Sequence, residues 1–151
     1  MDLILWRHAE AADGTPDLER ALTSHGQRQA RAMAAWLRPR LPDDTRILVS
    51  PARRTQETAA ALTKHGETLE ALAPGAGADA LLKACAWSPA GAGSVLVVGH
   101  QPTLGEVAGR LLGMTGAVPV RKGAIWWLTG RSRDGSPVVL TACLPPNLLM
   151  D

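Results

Sequence analysis

Phenylalanine and tyrosine are absent from the 151-residue chain, and tryptophan supplies every aromatic ring. No basic stretch is interleaved with aromatics, and a net charge of +2 is too small to draw a polyanion by itself. Both points argue against a nucleic-acid partner. No apolar run approaches the roughly 18–20 residues that a membrane-spanning helix needs. The N-terminus carries Asp2, no basic n-region and an apolar run of only four residues, which does not fit a standard signal peptide. The expectation is a cytoplasmic protein without membrane contact. The two cysteines, Cys85 and Cys143, lie far apart in sequence and are expected to be reduced and buried. Four histidines and two cysteines without tight paired spacing argue against a zinc site.

What is present suits a globular fold. A hydrophobic content of 46% and a charged content of 20% are enough for a real core, and the length predicts one domain over 1–151. Leu3–Trp6 reads as a short buried strand. Thr23 is a good N-cap for a helix to Leu37, with Ala30, Met33, Ala34 and Leu37 at helical spacing and Pro39 barring continuation. Ile47–Val49 reads as a second strand. Ser50-Pro51 then predicts an N-cap with proline at the first helical position, in a helix running to about His65 and stopped by Gly66. Ala73–Ala78 reads as a loop, followed by a short helix through Ala84–Trp87.

Ser94–Val98 has the continuous apolar character of a strand buried on both faces. A helix after Gly99-His100-Gln101 places Leu104, Val107, Ala108, Leu111 and Leu112 on one face, and Gly113 ends it. Ala124–Thr129 and Val138–Cys143 read as strands joined by a turn at Asp134-Gly135. Strands alternating with helices predict an α/β protein, a three-layer α/β/α sandwich around a mostly parallel sheet.

In such sheets ligands bind beyond the carboxyl ends of the strands. Three polar clusters fall there: Arg7-His8 after the first strand, Ser50 to Arg54 after the second, and His100 after the later apolar strand. Any one alone reads best as structural. Together they suit a dianionic phosphoryl group, because guanidinium forks match phosphate oxygens and a neutral imidazole can attack phosphorus in line. Repulsion from Arg7 and Arg54 is expected to keep His8 unprotonated. His100 is expected to be its protonated partner, stabilising charge on the equatorial oxygens. Arg54 is expected at the phosphate and Arg53 elsewhere, since adjacent helical residues diverge by about 100°.

"RHAEA" (Arg7–Ala11), "SPARRTQET" (Ser50–Thr58) and "VVGHQP" (Val97–Pro102) resemble, in this order, the three motifs of the histidine phosphatase superfamily, the phosphoglycerate mutase-like fold. The small size, "DLERALTSHGQRQA" (Asp17–Ala30) and "PPNLLM" are similar to the SixA-type phosphohistidine phosphatases, which have no helical lid. The resemblance implies His8 as nucleophile and Arg7, Arg54 and His100 as the rest of the phosphate pocket, with no cofactor and no metal. Many SixA-type proteins carry glutamine where this chain has Glu57, which is expected to be solvent-exposed.

No general acid is recognisable. Asp17, Glu67, Glu70 and Asp79 are the available carboxylates, and Asp17 serves equally well as a structural contact for Arg20. Expelling an alkoxide needs a proton donor, whereas imidazole leaves readily from a weak P–N bond. The expected activity is therefore metal-independent hydrolysis of phosphohistidine in a signalling protein, such as a histidine-containing phosphotransfer domain. Two alternatives stay open: a phosphomonoesterase acting on a small phosphorylated metabolite, and a catalytically silent module that binds phosphoproteins.

Overall fold

A computed structural model describes residues 1–131 and 138–151. The expected Asp134-Gly135 turn lies outside the described residues. In chain order the regular elements are β1 (Asp2–Arg7), α1 (Ser24–Leu37), β2 (Arg46–Val49), α2 (Arg53–Ala60), β3 (Glu67–Thr68), α3 (Ala78–Ala84), β4 (Ser94–Gly99), α4 (Thr103–Leu111), β5 (Ile125–Thr129) and β6 (Val139–Leu144). The strands form one mixed sheet in the order β3-β2-β4-β1-β5-β6. β3, β2, β4 and β1 are mutually parallel, and β5 runs antiparallel to both of its neighbours.

The α/β/α layering follows from the alternation of side chains along β1. Leu3 and Leu5 join a core with α3 and α4, through Leu81, Leu104 and Val107. Ile4 and Trp6 point the other way, into a core with Met33, Ala34 and Leu37 of α1. All four strand residues are fully buried, and each such side chain stabilises the fold by about 1.5–3 kcal/mol. Helix α1 starts as its sequence predicts, with Thr23 Oγ1 accepting the Gly26 N–H at 2.9 Å. Gly26 also lets α1 press onto the turn after β1, because a Cβ there would overlap the Glu10 carbonyl oxygen.

Several expected boundaries are corrected. Helix α2 begins at Arg53 with Ala52 at its N-cap, not at Ser50-Pro51. The Ser50 hydroxyl meets the His100 ring and the Ala52 amide, and caps no amide of α2 itself. Helix α2 ends at Ala60, short of His65, because the chain must leave the helix to lay Glu67 and Thr68 beside Leu48 and Val49. Gly66 therefore packs close to the Val49 side chain at the start of β3 and is no helix stop. Helix α3 ends at Ala84, before Trp87. Both cysteines are free; Cys85 is buried as expected, but Cys143 on the edge strand β6 is exposed. Among the described residues no helix is long and apolar enough to cross a membrane.

Candidate active site

The parallel register carries the three polar clusters to one edge of the sheet. Arg7 pairs with Gly99 and Val49 with Val98, so His8, Ser50 and His100 leave their strands side by side. The ladder continues into these residues, with His8 N–H donating to Gly99 O and Ser50 N–H to Val98 O, each at 3.1 Å. The rings of His8 and His100 lie 5.4 Å apart, tilted by 52°.

His8 is buried and its Nδ1 lies 2.7 Å from the Ala9 carbonyl oxygen. A carbonyl can only accept, so Nδ1 carries the proton and the neutral ring leaves its lone pair on Nε2. Burial lowers the His8 pKa to about 4, with smaller contributions from the charges of Arg7, Arg54 and Arg20. The expected neutrality of His8 is thus met, but desolvation outranks the expected charge repulsion as its cause. Burial also lowers His100 to about 3, assisted by Arg54, His8 and Arg7. In the free site both imidazoles are therefore neutral at pH 7, so a protonated His100 would need the charge of a bound phosphoryl group to raise its pKa.

The guanidinium of Arg7 is fixed by Nη1 donating to Val120 O at 2.9 Å. Arg54 donates from Nη1 to the Asp17 carbonyl at 2.9 Å and from Nη2 to Asp17 Oδ2 at 3.1 Å. Among the described residues three buried nitrogens then have no protein partner: Arg7 Nε, Arg54 Nε and His100 Nδ1. Buried polar groups are nearly always paired, so three such orphans on the residues that flank His8 point to an anion as their partner. Burial and Arg54 lower the Arg7 pKa, and the mutual proximity of these cations makes a tetrahedral anion the fitting counter-charge. Among the described residues, no three His, Cys, Asp or Glu side chains come together as a metal site requires.

Thr58 joins two of the motifs. Its hydroxyl accepts the Ala9 N–H at 3.0 Å and donates to the Arg54 carbonyl at 2.7 Å, tying the turn after β1 to α2. Glu57 departs from the expected exposure. It is two-thirds buried, accepts the Leu22 N–H at 2.8 Å and pairs with Arg53 at 3.4 Å. The segment before β5 contributes Val120 O to Arg7 and Gly123 N–H to His8 O. The sequence holds no periodic signal for that role.

The proposed acids fall apart in space. Asp17 bonds to both Arg20, at 3.1 Å, and Arg54. The hydrogen bond from Arg20 leads in lowering its pKa, and Arg54 adds to it, so Asp17 is ionised at pH 7 and holds no proton to donate. Glu67 pairs with Arg46 and Asp79 with Arg110, both on the surface. Glu70 is exposed. None of these last three bonds to His8, His100, Arg7 or Arg54 among the described residues.

Comparison with known proteins decides the family. Residues 3–74 match the model of the histidine phosphatase superfamily, branch 1. The phosphohistidine phosphatase SixA of Escherichia coli K12 is 34% identical over 120 residues, covering 74% of this chain and 74% of that protein. The chain belongs to the histidine phosphatase superfamily. Within it the chain is SixA-like: the structure of SixA complexed with tungstate superposes with a TM-score of 0.84 at 26% identity, covering 99% of this chain and all of that one. The phosphoserine phosphatase of Entamoeba histolytica shares the histidine phosphatase fold, with a TM-score of 0.74 at 18% identity over 99% of both chains. Such phosphatases act on phosphorylated substrates, either proteins or small metabolites.

Proposed function

We propose that this histidine phosphatase hydrolyses phosphohistidine in proteins through a covalent phospho-His8 intermediate. The observation that carries the reading is the free lone pair of neutral His8 beside three buried, unpartnered nitrogen donors. His8 Nε2 attacks phosphorus as the P–N bond to the substrate imidazole breaks. The leaving imidazole takes a proton from solvent. Water then attacks phospho-His8, the P–Nε2 bond breaks, and phosphate departs with His8 regenerated. Arg7 and Arg54 balance the dianion, and His100 stabilises the equatorial oxygens.

The P–N specificity is favoured by the chemistry of Asp17. A carboxylate ion-paired with two guanidiniums is a poor source of a proton for an alkoxide leaving group, whereas the more basic imidazole nitrogen of phosphohistidine can take its proton from solvent. An open groove of about 640 Å³ lies between the segment 13–21 and the start of α2, with Arg20 and Arg53 in its walls; none of His8, Arg7, Arg54 or His100 lines it. The likeness of the chain to SixA supports the same substrate class.

The test is turnover of a histidine-phosphorylated protein, phosphoramidate and a panel of phosphate monoesters side by side, with EDTA throughout. The reading expects the P–N substrates to be turned over much faster than alkyl phosphates. Preferential hydrolysis of one small ester would move the assignment to a small-molecule phosphomonoesterase. A strict requirement for metal would sink the covalent mechanism.

A further inference from the structure

Ser50 has no place in the mechanism above, yet it is fully buried among the residues that do. Its Oγ lies 2.7 Å from His100 Nε2 and 3.3 Å from the Ala52 amide nitrogen. The Ala52 N–H can only donate, so it occupies an acceptor site on the hydroxyl. The single hydroxyl hydrogen must then find an acceptor, and His100 Nε2 is the partner at hydrogen-bond distance. The opposite arrangement, Nε2–H donating to Oγ, would leave that hydrogen buried without a partner, a cost of about 1–3 kcal/mol. Ser50 Oγ–H therefore donates to Nε2, and the ring proton sits on Nδ1.

We infer that Ser50 is a positioning residue: its hydroxyl fixes His100 as the Nδ1–H tautomer and so makes the buried, unpartnered Nδ1 a hydrogen-bond donor to the phosphoryl group. The inference rests on the proposed phosphoryl-transfer reading for its acceptor, but not for the tautomer itself. It also separates the roles of the two histidines. Both rings carry their proton on Nδ1, held there on opposite sides. The Ala9 carbonyl takes the Nδ1–H of His8 and frees an Nε2 lone pair to attack. The Ser50 hydroxyl takes the Nε2 lone pair of His100 and frees an N–H to donate. One site thus holds a nucleophile and a donor built from the same side chain in the same protonation state.

The experiment is 15N NMR of the imidazole nitrogens in the free protein at pH 7, in wild type and Ser50→Ala. Wild type is expected to show a protonated Nδ1 and a lone-pair Nε2 on His100. Ser50→Ala is expected to move His100 toward the Nε2–H form, which histidine favours in water, while His8 keeps its spectrum. The affinity for inorganic phosphate should fall about tenfold or more and kcat on phosphoramidate by up to ~10²-fold, the lower end of the range for losing one preorganised donor. Ser50→Thr, which keeps the hydroxyl, should restore both. An Nε2–H signal for His100 in wild type overturns the inference, and so does an unchanged phosphate affinity in Ser50→Ala with an altered tautomer. If wild type turns over no P–N substrate but shows the expected tautomer and phosphate effects, the functional reading fails and the role of Ser50 stands.

Discussion

Arg53 and Arg54 are adjacent in the chain and live in opposite environments: the side chain of Arg53 is 57% exposed and that of Arg54 is 6% exposed. One helical step of about 100° is enough to separate them. Arg54→Ala is therefore expected to cost about 2–4 kcal/mol of transition-state stabilisation, the scale for losing one preorganised donor. Arg53→Ala is expected to cost far less. Steady-state kcat/KM for the two variants checks this, and equal losses would contradict the placement of Arg54 in the phosphate pocket.

His8→Ala should remove turnover by several orders of magnitude with the fold retained, since no neighbouring group replaces a covalent nucleophile. Enzyme quenched during turnover should carry phosphate on His8 when examined by mass spectrometry under conditions that preserve P–N bonds. His25 and His65 are both exposed, and phosphate on either, with His8 unmodified, would reassign the nucleophile.

Amide replacement of the carboxylates tests the leaving-group argument. Glu67→Gln, Glu70→Gln and Asp79→Asn should each leave phosphohistidine turnover within about tenfold, a barrier change of roughly 1.4 kcal/mol. Asp17→Asn should raise KM more than it lowers kcat, because it loosens Arg54 while removing no proton donor. A kcat loss of ~10²–10⁴-fold at one of the four positions would identify a general acid and favour ester substrates.

The histidines also make a pH prediction with a definite sign. Both folded-state pKa values, about 4 for His8 and about 3 for His100, lie below the ordinary value of 6.5. Below pH 6.5 the unfolded chain binds these protons and the folded chain does not, so stability falls as pH falls. The loss should begin near pH 6.5 and level off for these groups only near their folded values. Urea midpoints measured from pH 7.5 to 4.5 should decline, and Ser50-independent NMR titration should find both rings neutral at pH 5.5. A His8 titrating near 6.5 would remove the basis for its neutrality.

The sequence made the central architecture readable where packing follows a local period. β1, β4 and α1 bury the residues that their spacing marks, α4 buries Leu104, Val107 and Ala108 but only partly Leu111 and Leu112, and the ends of β1, β2 and β4 lead into the polar residues that point to the site. The misreadings share one cause, which is partnership at long range. Ser50 has the sequence of a helix cap, but its hydroxyl bonds to a ring 50 residues away. β3 is two residues long and exists because β2 is beside it. Glu57 reads as a solvated helical carboxylate until the Leu22 amide from the turn after β1 reaches it, and Asp17 reads as a partner for Arg20 alone until Arg54 is brought up to it. Cys143 reads as a reduced, buried thiol, yet its strand pairs only with β5 and lies at the sheet edge.

The position of β1 has a consequence for how the protein comes into being. The strand that carries Arg7 and leads into His8 is made first, yet both of its neighbours, β4 and β5, belong to the later part of the chain. On the ribosome, His8 has no scaffold until Ser94–Gly99 has emerged. Closing a parallel pair across some ninety residues is a slow, non-local event. The proposed site is therefore assembled late, because a chain lacking β4 and β5 has neither neighbour of β1 nor His100.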